Sequence, residues 1–79
     1  MSQFDKLVVK LRARPPQAEF EDVRKVLEHH GWLLARNESS HATFVKAGER
    51  FVFTVPKVSG RWVKRVYIDK MCDLLGLDG

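Results

Sequence analysis

The sequence predicts an α+β fold, a two-layer sandwich in which a three-stranded antiparallel sheet carries helices on one face. Apolar residues recur at helical spacing near both ends of the 79 residues, whereas the middle alternates apolar and polar residues as half-buried strands do. The links between the alternating segments, residues 37–40 and 47–49, are short. A parallel pair needs a crossover of about a dozen residues or more, so neighbouring strands pair antiparallel, as a meander. Helices laid on one face of that meander hide both kinds of stripe from water.

From Ser2 to Ala13, Phe4, Leu7, Val8 and Leu11 form the stripe of an amphipathic helix, with Ser2 as its N-cap. Arg14-Pro15-Pro16 ends it, because proline has no N–H for the helical ladder and drives its predecessor out of the α region. An extended connector through Ala18 follows. The second helix runs from Phe20 or Glu21 to His30: Val23, Val26 and Leu27 keep helical spacing, acids crowd the start, and Gly31 suits the left-handed stop. Strands are expected at Trp32 to Arg36, His41 to Lys46 and Arg50 to Val55, with Pro56 stopping the third. Lys57 to Arg61 reads as a basic loop. The last helix, Val63 to Leu75, presents Val63, Tyr67, Ile68, Met71, Cys72, Leu74 and Leu75, and Gly76 ends it. The order is α-α-β-β-β-α, in a single domain spanning 1–79.

Composition narrows the function classes. One cysteine, Cys72, cannot close an internal disulfide, and no Cys or His cluster has the spacing of a structural zinc site. No metal or cofactor is expected. No apolar run approaches the ~20 residues that span a bilayer, so a cytoplasmic chain without membrane contact is expected. The net charge is +4, and it is concentrated: residues 36–65 hold seven bases against two acids. Arg36, Lys46, Arg50, Lys57, Arg61, Lys64 and Arg65 make up that excess, as a phosphate-binding face would. A solvated basic surface, or one that docks an acidic protein, has the same signature.

Three histidines are candidates for proton transfer, since an unperturbed imidazole titrates near neutrality. His29 and His30 close the second helix, where an imidazole favours the negative end of the helix dipole, and both read as structural. His41 opens a strand directly after Glu38-Ser39-Ser40, beside hydroxyls and in the most basic part of the chain. A site residue held on a rigid element sits in such a place. Trp62 reads as a core or interface residue, with base stacking as the alternative.

The string from Phe20 to Phe44, with Gly31-Trp32, Arg36 and Ser40-His41-Ala42-Thr43-Phe44, resembles the helix, Gly-aromatic turn and Gly-Ser-His strand motif of HicA toxins. Thr54-Val55-Pro56, the basic loop and the helix ending Leu74-Leu75-Gly76-Leu77 are similar to that family's second half. The resemblance spans about residues 20–77, with the 1–14 helix as an N-terminal extension. It implies a double-stranded-RNA-binding-like fold, ribonuclease activity on messenger RNA, a catalytic histidine at His41 and neutralisation by a HicB-type antitoxin. The chain departs from the pattern twice. Ser39 stands where the family usually has glycine, which removes a residue free to adopt positive φ. Lys57-Val58-Ser59 stands where a second histidine often follows Val-Pro.

For such a ribonuclease, the metal-free route is attack by a ribose 2′-hydroxyl on the adjacent phosphate, with neutral His41 as general base. Arg36, Lys46 and Lys57 are candidates for neutralising the phosphate. Ser40 either hydrogen-bonds phosphate or, with Ser39, closes the hairpin. Arg61, Lys64 and Arg65 sit near the last helix's N-terminus, where amides also favour anions. Two rivals use the same residues: a nucleic-acid-binding module without catalysis, and a degenerate toxin serving as a protein-interaction domain.

Overall fold

A computed structural model describes residues 3–77. The chain runs α1 (Gln3–Arg12), β1 (Gln17–Glu19), α2 (Phe20–His29), β2 (Leu33–Asn37), β3 (His41–Val45), β4 (Phe53–Pro56), β5 (Trp62–Lys64) and α3 (Arg65–Leu75). The expected N-cap, Ser2, lies outside the described residues. The α+β architecture and its three-stranded antiparallel sheet, ordered β2-β3-β4, are as the alternation predicts.

Each helix packs the stripe that predicts it. Leu11 of α1 is fully buried, with Phe4, Leu7 and Val8 against the core; α2 buries Phe20, Val23, Val26 and Leu27; α3 buries Ile68, Met71 and Cys72. At the end of α2, Gly31 takes φ +91°, its N–H donates to Glu28 O at 3.1 Å, and the Trp32 N–H donates to Leu27 O at 3.1 Å. These bonds satisfy helix-end carbonyls and turn Trp32 into the core, where it is 2% exposed. Arg14, between α1 and the prolines, takes φ 54° and ties the α1 exit to α3 by donating to Asp69 at 2.9 Å and Asp73 at 3.3 Å.

Two expectations are corrected. The last helix begins at Arg65, not Val63, because Trp62–Lys64 is a strand. It pairs antiparallel with the connector before α2, in the register Gln17↔Lys64, Ala18↔Val63 and Glu19↔Trp62. Ala18 and Val63 face the core from this ribbon, so Val63 is buried from a strand instead of a helix. The third strand is Phe53–Pro56, not Arg50 to Val55: Phe51 and Val52 remain half exposed. Pro56 is accommodated at the strand end. The next residue's N–H, on Lys57, donates to Ser40 O at 2.8 Å, so by the antiparallel alternation the missing donor of Pro56 points away from β3.

The sheet has two unlike faces. Ala42, Phe44, Phe53 and Val55 point into the core, whereas His41, Thr43, Val45, Thr54 and Pro56 alternate onto the opposite face. Cross-strand pairing with Thr43 and Val45 adds Arg36 and Leu33 to that open face, after a register shift between Leu34 and Arg36. Among the described residues, no helix is long and apolar enough to cross a membrane.

Candidate active site

His41 is presented by a tight hairpin. The Glu38 N–H donates to His41 O at 2.9 Å, which leaves Ser39-Ser40 as a two-residue loop between β2 and β3. Among the described residues, positive φ at non-glycine positions occurs only at Arg14 and Ser59. The loop therefore closes without the left-handed residue that a glycine before Ser-His supplies. A two-residue loop of that hand disfavours the right-handed strand twist, and the register of β2 on β3 shifts between Leu34 and Arg36.

The imidazole rides on a strand whose next residue and next but two, Ala42 and Phe44, are fully buried. Its position is therefore set by the core, while the ring itself is 42% exposed. Ser40 Oγ lies 3.0 Å from Nδ1, and Glu38 Oε1 lies 3.6 Å from Nε2. The same Glu38 oxygen is 3.8 Å from the Arg36 guanidinium. Arg36, Glu38 and His41 thus share the open face at one end of the sheet. Sequence reading did not single out Glu38. The hairpin register brings it there, because a two-residue loop, shorter than the 37–40 link expected, sets residues i and i+3 directly opposite each other.

The other cations are spread around this end of the molecule and beyond it. Lys57 follows Pro56 and alternates to the helix side, where its ammonium donates to Asn37 Oδ1 at 2.6 Å and lies 4.5 Å from the Phe20 ring centroid. Lys46, the first residue past the end of β3, is five residues from His41, about 17 Å at strand rise, with its stem packed over Gly31. Lys64 and Arg65 lie at the start of α3, where the Arg65 guanidinium donates to Arg14 O at 2.9 Å.

The expected basic loop is a hairpin. Ser59 and Gly60 both take positive φ, Arg61 N–H donates to Val58 O at 3.1 Å, and Val58 pairs with Trp62. Its turn packs against the His41 loop, since a Cβ on Gly60 would meet the Ser39 carbonyl at 3.5 Å. Arg61 also covers one face of Trp62, 4.6 Å from the ring centroid. His29 and His30 belong to the helix packing: the His29 ring stacks 3.9 Å from Phe4, and His30 Nδ1 is 2.9 Å from Val26 O.

Arg61 forms an ion pair with Glu19, and its hydrogen bond and charge hold that carboxylate below its ordinary value. A lowered folded-state pKa contributes stability above the unfolded value, and that contribution is lost as pH falls through the folded one. Arg61→Gln is therefore expected to raise the Glu19 titration in NMR. The parent's stability advantage over the variant should shrink as the pH drops below the ordinary glutamate value of 4.5.

With this geometry in place, a family-model comparison matches residues 20–77 to the HicA toxin of bacterial toxin-antitoxin systems. The chain belongs to the HicA toxin family. Comparison with curated proteins and with solved structures returned no match. The HicA match begins at the first residue of α2 and ends two residues past α3, so α1 and β1 precede it. Strand β1 is nonetheless paired to β5, which lies inside the matched segment.

Proposed function

We propose that this HicA toxin is a metal-independent endoribonuclease that cleaves messenger RNA with His41 as its catalytic base. The observation that carries the reading is the placement of a half-exposed imidazole at a hairpin exit, on the same sheet face as Arg36, in a chain of a toxin family. Neutral His41 takes the proton of a ribose 2′-hydroxyl as the O2′–P bond forms. The P–O5′ bond breaks, leaving a 2′,3′-cyclic phosphate, and the departing 5′-oxygen takes a proton from solvent.

Arg36 is the cation on the face of His41 and offers charge to the phosphate in that step. Ser40 presents its hydroxyl at the ring. Lys57 and Arg61, around the hairpin end, and Lys64 and Arg65, at the start of α3, hold flanking phosphates, whereas Lys46 engages the backbone farther along the strand. A HicB-type antitoxin is the protein partner that neutralises the activity.

The test is incubation of the purified chain with RNA at low and high salt, with and without EDTA. Cleavage products bearing 2′,3′-cyclic ends, unaffected by the chelator, are expected. Salt-sensitive binding without cleavage would instead leave a nucleic-acid-binding module, and loss of cleavage in EDTA would overturn the histidine route.

A further inference from the structure

Both nitrogens of His41 have neighbours: the Glu38 carboxylate favours one tautomer, and the Ser40 hydroxyl, which can donate or accept, is compatible with it. A carboxylate can only accept, so Nε2, which faces Glu38 Oε1 at 3.6 Å, is the nitrogen favoured to carry the proton. That separation is too long for a hydrogen bond, so the preference is electrostatic. Ser40, whose Oγ is 3.0 Å from Nδ1, then donates its hydroxyl proton to a bare Nδ1 lone pair. The opposite tautomer would aim an Nε2 lone pair at the carboxylate, which is repulsive.

The geometry points to Glu38 as a positioning residue that holds His41 in the Nε2–H tautomer and makes Nδ1 the base, at the place the Ser40 hydroxyl occupies. This rests on the nuclease reading only for its kinetic consequence. An exposed glutamate beside an exposed histidine is commonly incidental, and isolated surface pairs contribute little. Here the pairing is built into the backbone: Glu38 N–H donates to His41 O, so the two residues stand directly opposite on one face. Arg36, whose guanidinium is 3.8 Å from the same carboxylate oxygen, favours its charged form.

Attack then proceeds with the 2′-hydroxyl replacing Ser40 at Nδ1. Its proton passes to Nδ1, and the resulting imidazolium gains charge opposite Glu38, which favours the transition state over the ground state. The same carboxylate repels the phosphates of bound RNA. Glu38 therefore lowers affinity while raising turnover, two effects that a residue of merely structural importance does not separate.

The test uses the full chain and its Glu38→Gln variant, with thermal unfolding confirming that both fold. Long-range ¹H–¹⁵N correlation spectra at roughly pH 8.5, two units above an ordinary histidine value, report the neutral ring's tautomer. The parent is expected to show the Nε2–H form more completely than a histidine in an unstructured peptide, and the variant to fall back toward the peptide distribution. In parallel, the variant should lose on the order of tenfold in kcat, by analogy with the roughly 10–100-fold cost of removing a partner that orients a metal-bound histidine. Its KM should be unchanged or lower. An Nδ1–H ring in the parent, identical tautomer populations in both chains, or a variant with the parent's kcat would overturn the proposal. A parent that shows the expected spectra but leaves RNA intact would sink the nuclease reading instead, with the tautomer assignment standing.

Discussion

Replacing His41 with alanine is expected to lower RNA cleavage by about 10²- to 10⁴-fold, the range that general base help supplies, while leaving the fold intact. The two halves of this expectation come from opposite sides of one strand. Strand β3 is fixed by Ala42 and Phe44, which are completely buried, whereas the half-exposed His41 ring lies on the open face beside the exposed Ser40 and Glu38 side chains. Truncating it leaves no cavity and no orphaned buried polar group, so the stability change should stay within about 0.5 kcal/mol. Single-turnover cleavage rates and thermal unfolding curves measured on the same preparations check both halves. Growth inhibition on expression should disappear with the cleavage. A variant that cleaves like its parent would remove His41 from the mechanism, and one that fails to fold would show the ring to be structural.

What the sequence discloses and what it hides follow from the range of the interactions involved. The three helices are legible because each buries a stripe several turns long, and the β2-β3-β4 meander because its links are short enough to dictate antiparallel pairing. The β1-β5 ribbon is not. Each of its strands is three residues long, and Ala18 pairs with Val63 across most of the chain, a contact that local periodicity does not encode. That ribbon shortens the last helix, since a residue hydrogen-bonded to β1 cannot also begin α3.

The site divides in the same way. His41 stands out because it opens a strand after a short polar loop, a local feature. The distribution of the cations depends on the sheet's register: alternation after Pro56 sends Lys57 to the helix side, and strand length carries Lys46 about 17 Å away. A cluster that looks continuous along residues 36–65 therefore wraps around the molecule. Glu38 is hidden for the reverse reason. An acid in a basic stretch reads as background until the hairpin register sets it across from the histidine.

The core beneath the site sets the second large effect. Phe44 is fully buried in the middle strand of the sheet, opposite Leu34 on one side and Phe53 on the other, with its ring 6.1 Å from that of Phe20 at the start of α2. It therefore joins the sheet layer to the helix layer. Phe44→Ala removes the aromatic payload and leaves a cavity that flanking strands cannot close without breaking their ladder, so about 3–5 kcal/mol should be lost. A domain of this size has a total stability of roughly 4–12 kcal/mol, and the loss takes up a large fraction of it. Phe44→Leu, which keeps most of the apolar volume, should cost distinctly less. Urea unfolding monitored by the fluorescence of Trp32, buried in the same core, gives both values from the shift in midpoint at constant slope. Because Phe44 and His41 share one five-residue strand, a partly unfolded Phe44→Ala chain should also lose cleavage in proportion to its unfolded fraction. A loss below about 1 kcal/mol would mean that Phe44 is not the joint between the two layers.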